Sequence, residues 1–279
     1  MEIFINEKPA DITLDTEKTL GEVLQGIEQW ISPTGNRIRS ISLNGINVAI
    51  DDLGTAFEKD VKDIARLDIE VNSFRGLAAE ALTELTGTCA LFSGAAFEER
   101  AKIIESWEKS PAARFLTSDI PDIYNLAAGS FAGNGVSAQD LILIIEERLR
   151  EIEDPKREIE NSEALVKKIA QRMEDLPLDM QTGKDEMAAE TIVLFSRMGE
   201  KLFRILYIFK SEGLSIDTFA VDNVPVMAFL DEFNKALGEI TTAYKDKDTV
   251  LAGDIAEYEL APRILKLYSA LKEAKISTI

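Results

Sequence analysis

The stretch that decides the fold is residues 1–31, MEIFINEKPADITLDTEKTLGEVLQGIEQWI. Glu2 to Asn6 reads as a strand, with Ile3 and Ile5 on one face and Phe4 on the other. Glu7-Lys8-Pro9-Ala10 reads as a turn, and Asp11 to Asp15 alternates again through Ile12 and Leu14. Alternation with period two marks a half-buried strand, so the two runs predict a β-hairpin. The period then changes. Thr19 followed by Glu22 has the spacing of a capping box, which satisfies free N–H groups at a helix start. Leu20, Val23, Leu24, Ile27, Trp30 and Ile31 follow at helical intervals and predict one apolar face, with Trp30 counted as core.

Working outward, Ser32-Pro33-Thr34-Gly35 should stop that helix, because Pro and Gly both oppose its continuation. Arg37 to Leu43 alternates, Asn44-Gly45 is a hairpin turn signal, and Ile46 to Ile50 is a short returning strand. Residues 54–63 hold a short helical turn, and Arg66 to Val71 closes the set through Leu67, Ile69 and Val71. The order is ββαββ, a short helix, then β. That order, its spacing and the opening Met1-Glu2-Ile3-Phe4-Ile5 resemble the ubiquitin-like β-grasp fold, in which a mixed sheet wraps one helix. The resemblance covers residues 1–73 and rests on no catalytic motif. It implies a docking or scaffolding module. Conjugated modifiers end in a Gly-Gly tail, whereas Val71-Asn72-Ser73 runs straight into Phe74, which speaks against covalent tagging and sulfur carriage.

From Ser73 onward no strand is expected. Helices are predicted from Ser73 to Leu91, from Phe97 to Lys109, from Pro111, and from Ser118 to Gly129, the third with Pro at its first position. Gly129 to Gly135 reads as a loop. Ser137 caps a helix through Leu141, Ile145 and Leu149, which Asp154-Pro155 breaks and follows with another through Ile159 and Met173. Leu176 to Gly183 reads as a loop. Residues 184–211 form the longest helix, apolar on more than one side, as in a buried central helix. Pro225 opens a helix to Lys245, and a last one from Thr249 to Lys275 is expected to kink at Pro262. The expected architecture is therefore α+β: a ubiquitin-like domain at 1–73 and an all-helical domain of seven to nine helices at 74–279, with a possible subdivision at 129–135.

Composition narrows the chemistry. The chain has 279 residues, no His and one Cys, so imidazole mechanisms, Cys-cluster metal sites and intrachain disulfides are out. With 31 basic and 50 acidic residues the net charge is −19, a poor match for nucleic acid. The charge is spread, 7 basic against 14 acidic residues before position 74 and 24 against 36 after it. No apolar run is long enough to span a bilayer, and the N-terminus lacks a basic region followed by an apolar one. Membrane insertion is not expected, and a cytoplasmic location is. Cys89, with no imidazole to activate it, reads as a small buried residue.

One segment stands out for possible chemistry, Leu251 to Arg263. Asp254 and Glu257 share a helix face. With Asp231 or Glu232 from the preceding helix they could form a carboxylate cage for a divalent metal. Their plainer role is a solvated helix face, with Tyr258 and Arg263 locking two helices. Gly253 and Pro262 both cost helix stability, which points to a close helix approach or a bend. Gly129 to Gly135 is rich in glycine but lacks the Gly-Lys-Ser/Thr and preceding strand of a phosphate loop. No cofactor, metal or catalytic set is assigned. The expected function is a non-enzymatic protein–protein interaction protein, scaffold or chaperone-like. Its helical region is similar in composition to flagellar export chaperones, which clasp a partner's helix. The expected partners are proteins, a second copy of the chain among them. The alternative is a carboxylate-metal or phosphate-handling enzyme using Asp254, Glu257, Tyr258 and Arg263.

Overall fold

The computed structural model describes residues 1–14, 16–32, 35–49 and 52–275. Of the expected strand and helix ends, Asp15, Pro33, Thr34 and Ile50 lie outside those residues. The chain divides into two compact units, Met1–Glu153 and Asp154–Ile279. The first holds the sheet and the helices up to residue 153, including the 129–135 loop. The layout is α+β, a mixed sheet followed by helices.

The sheet of the first unit has β1 (Glu2–Ile5), β2 (Lys8–Pro9), β3 (Asn36–Leu43), β4 (Ile46–Asn47) and β5 (Arg66–Ser73), in spatial order β2-β1-β5-β3-β4. The β1–β5 pair is parallel and the other three pairs are antiparallel. Helix α1 (Leu20–Ile31) starts with both halves of the capping box at Thr19 and Glu22. It buries Leu20, Val23, Leu24, Ile27 and Ile31 against Ile3, Ile41, Leu43, Leu67 and Ile69 of the sheet. At about 25 cal/mol per Å² of apolar surface, each such side chain contributes roughly 1.5–3 kcal/mol.

Two expectations change here. The second strand is Lys8–Pro9, and residues 11–14 of the expected Asp11–Asp15 strand lie outside any strand. The turn falls two residues earlier because Asn6 and Glu7 take φ values of 48° and 65°, a left-handed pair that closes a two-residue hairpin. Ala10 then donates to the Ile3 carbonyl at 2.8 Å, while Ile12 and Leu14 pack on the core without a ladder partner. The same turn chemistry at Asn44 and Gly45 (φ 52° and 83°) falls where the sequence places it. Trp30 is not core: it is 67% exposed. At 100° per residue it sits about 80° from the centre of the Leu20–Ile27–Ile31 stripe, just outside it.

Helix α2 is short (Leu53–Phe57), followed by a 3₁₀ turn at Val61–Asp63. Ser73 ends the sheet and caps α3 (Phe74–Gly94), its hydroxyl accepting from Gly76 N–H at 3.0 Å. Helices α4 (Phe97–Glu108), α5 (Pro111–Asp119), α6 (Pro121–Phe131) and α7 (Ala138–Glu153) complete the unit, with α7 and α5 packed on α3. Trp107 is buried, stacked on Tyr124 and set edge-on to Phe131.

The second unit contains α8 (Pro155–Asn161), α9 (Glu163–Glu174), α10 (Leu176–Gln181), α11 (Asp185–Ser211), α12 (Val226–Lys245), α13 (Thr249–Asp254) and α14 (Ala261–Glu273). A π-helical turn, Ile255–Leu260, joins the last two. Leu176 to Gln181 is thus a helix rather than part of a loop, with Pro177 in its first turn, where a missing N–H does no harm. A small hairpin, β6 (Ala220–Val221) and β7 (Val224–Pro225), also corrects the strand-free expectation. Asp222 and Asn223 close it at φ 52° and 66°, and two-residue strands carry too little alternation to read. Ser162 splits the expected 155–173 helix, its hydroxyl bonding back to the Glu158 carbonyl at 2.7 Å. Such breaks bring the described helices after residue 73 to twelve, above the seven to nine expected. Helix α11 is central: Phe195, Leu202, Ile205 and Phe209 are all buried, and Phe195 stacks on Phe233 with centroids 5.6 Å apart. Among the described residues no helix is long and apolar enough to cross a membrane.

Candidate functional site

The 251–263 segment takes its shape from two residues. Pro262 has no N–H to give the Tyr258 carbonyl four residues back, and its ring would crowd that carbonyl in a regular helix. The backbone widens to a π turn over Ile255–Leu260 just before it, an arrangement frequent at functional sites. Gly253 has the other cause. A Cβ there would stand 2.8 Å from Pro177 Cγ and 3.0 Å from Pro177 Cβ, so α13 and α10 meet closer than any side chain allows. Of the two explanations offered by the sequence, the close approach is present at Gly253, and a π turn stands ahead of Pro262.

Three of the four named side chains share an exposed face, and the fourth, Arg263, turns away from them. Asp254, Glu257 and Tyr258 are exposed on the outer side of the turn, Tyr258 at 68%. A hydrogen bond to Glu257, then the charge of Glu257 and that of Asp254, hold the Tyr258 hydroxyl above its ordinary pKa. Arg263 is three-quarters buried and pairs instead with Glu259 at 3.4 Å. Its Nη1 is buried without a hydrogen-bond partner among the described residues. Asp231 and Glu232 are exposed on α12. Among the described residues no three His, Cys, Asp or Glu groups come together to hold a metal ion, so the cage is not assembled.

The glycine-rich loop is used by its own fold. A Cβ on Gly129 would stand 2.7 Å from the Asn134 carbonyl oxygen, and Asn134 N–H donates to the Gly129 carbonyl at 2.8 Å. Gly133 and Gly135 supply φ values of 74° and 115°. The run closes the end of α6 rather than cradling an anion. Cys89 is fully buried, and burial pushes its thiol up to about 11, the reverse of an activated nucleophile.

Two features escaped the sequence. One is Trp30, for which the signal was available: its angle off the apolar stripe. The other is a groove of about 690 Å³ between α12 and α13, floored by Gly238, Ala243, Leu251 and Ile255. No local pattern announces it, because it arises from how two helices and the π turn meet.

One family match falls within each of the two units. Residues 1–73 match a family described as TP0873 N-terminal domain, and residues 157–270 match one described as Domain of unknown function (DUF8042). No curated protein and no solved structure matches the chain.

Proposed function

We propose that the chain is a non-enzymatic cytoplasmic protein–protein interaction protein whose N-terminal domain is a ubiquitin-like β-grasp docking module. The strand order β2-β1-β5-β3-β4, with a parallel pair at its centre and α1 on one face, supports the β-grasp reading. Trp30 is the observation that carries the function. A Trp buries about 150–250 Å² when covered and is enriched at interface hot spots. Here 67% of it faces solvent on a helix whose core is complete without it. On the same domain Ile46 is 74% exposed, on β4 at the edge of the sheet.

The test is affinity capture of the full chain from its own cells under gentle conditions. A discrete partner should co-purify, and Trp30→Ala should lower its recovery about tenfold, the effect of losing a hot-spot side chain. Equal recovery by the variant refutes the reading. The enzyme alternative is tested separately. Divalent ions should leave the melting temperature unchanged, whereas a bound ion at 100 times its Kd would add about 2.7 kcal/mol of stability.

A further inference from the structure

We propose that the groove between α12 and α13 is a docking site for a basic amphipathic helix of a partner protein. This goes beyond the reading carried by Trp30 and stands on a different surface. The floor is apolar or small: Gly238, Ala243, Leu251 and Ile255. Leu251 is 48% exposed and its neighbour Val250 is 68% exposed, so the first turn of α13 offers apolar surface its own fold leaves uncovered. Gly238 has nothing within 4 Å of where a Cβ would be, so the groove is open above it. An incoming backbone could approach there as closely as α10 approaches Gly253.

The rim decides the partner's charge. Among the described residues that line the groove, Glu239, Asp246 and Asp248 stand against one cation, Lys235, which is 3.9 Å from Glu239. Asp248 spends one oxygen on capping Leu251 N–H, and Asp246 makes no ion pair or side-chain hydrogen bond among the described residues. Carboxylates flanking an apolar floor repel anionic lipid and nucleic acid and complement Lys and Arg flanking an apolar stripe. The walls decide the partner's shape. Both are helical, with backbone groups bonded internally, so an extended strand finds no free ladder to join. A helix can lay its ridge in the groove instead. Asn234 to Asp246 run about 18 Å at 1.5 Å per residue, room for about three turns.

The probe is a fluorescent peptide of roughly four turns made of Leu and Lys, with Leu at i, i+3, i+4 and i+7. Its anisotropy is read against the full chain at low salt, beside the same peptide with Glu for Lys. The Lys peptide should bind and the Glu peptide should not. Gly238→Leu, which fills the groove at an exposed helical position, should weaken binding at least about tenfold while circular dichroism shows the fold intact. Asp246→Lys should weaken it and flatten its salt dependence. Glu160→Lys, the same charge change on α8, and Trp30→Ala should leave it unchanged. Absence of Lys-peptide binding, equal binding by Gly238→Leu, equal binding of the Glu peptide, or equal loss on Glu160→Lys overturns the proposal. Loss of the captured partner on Trp30→Ala is a separate result, so either surface can fail alone.

Discussion

The same substitution at two glycines of the second unit should change stability in opposite directions. Gly238 lies on an exposed face of α12 with open space at its Cβ position, whereas Gly253 lies in α13 against Pro177. Ala is favoured over Gly in a helix by about 1 kcal/mol, so Gly238→Ala should stabilise by about that much. At Gly253 the new methyl would sit 2.8 Å from Pro177 Cγ and 3.0 Å from Cβ. Ordinary carbon contacts are about 3.5–4.0 Å, so the overlap is roughly 0.7 Å. The proline ring is rigid and its Cα is only 3.8 Å away, so α10 itself must move. Overpacking of this kind costs about 1–3 kcal/mol. The helix preference is nearly common to both variants, so the difference between them isolates the contact at about 2 kcal/mol. Urea unfolding of the full chain measures it, comparing midpoints at unchanged slope. Pro177→Ala should recover part of the Gly253→Ala loss by removing Cγ. If Gly253→Ala stabilises as much as Gly238→Ala, the close approach of α10 and α13 is wrong, and with it the account of why this helix contains a glycine.

Other consequences follow from the packing and the charges. Lys201 and Glu158 meet at 2.6 Å with side chains only 10% and 11% exposed; Lys201→Met should cost about 3–5 kcal/mol in urea unfolding by leaving a buried carboxylate, and adding Glu158→Leu should recover most of it. Hydrogen bonds from Lys167 and then Lys272 lower the pKa of Glu163 from 4.5 to about 2. A carboxylate depressed on folding stabilises fully above its unfolded pKa and loses that contribution as pH falls toward its folded one. The melting-temperature difference between wild type and Glu163→Gln should therefore be constant above pH 4.5 and shrink toward pH 2. Cys89, buried and with its thiol pushed to about 11, should react with a thiol reagent only at the rate the fold opens, and at full speed in denaturant.

How much of this the sequence discloses depends on the range over which each feature is encoded. Helix α1 and the Asn44-Gly45 hairpin were legible because cap, turn and apolar stripe all lie within a dozen residues and agree. The Asn6-Glu7 turn is harder to read because Glu7, unlike Gly45, does not favour the left-handed backbone that Asn tolerates, and Lys8-Pro9 imitates a turn. Leu176–Gln181 was hidden by a proline that breaks helices everywhere but in their first turn. In the 251–263 segment the unusual residues were legible as costs, and the structure supplies their causes, Pro177 across from Gly253 and a π turn ahead of Pro262. What sequence could not supply was convergence. Asp254, Glu257 and Tyr258 share an outer face, while Arg263 turns to Glu259. The groove beside them depends on contacts between residues more than ten positions apart.

Trp30 is proposed as a contact residue for a protein partner rather than as part of the fold. Replacing position 30 with a photo-crosslinking phenylalanine derivative in living cells tests that role most directly, with position 28 on the same helix as the control. Glu28 is also exposed, but on the other flank of the apolar stripe. A discrete protein adduct should form from position 30 and be absent from position 28. No adduct at position 30, or the same adducts from both positions, would contradict that role.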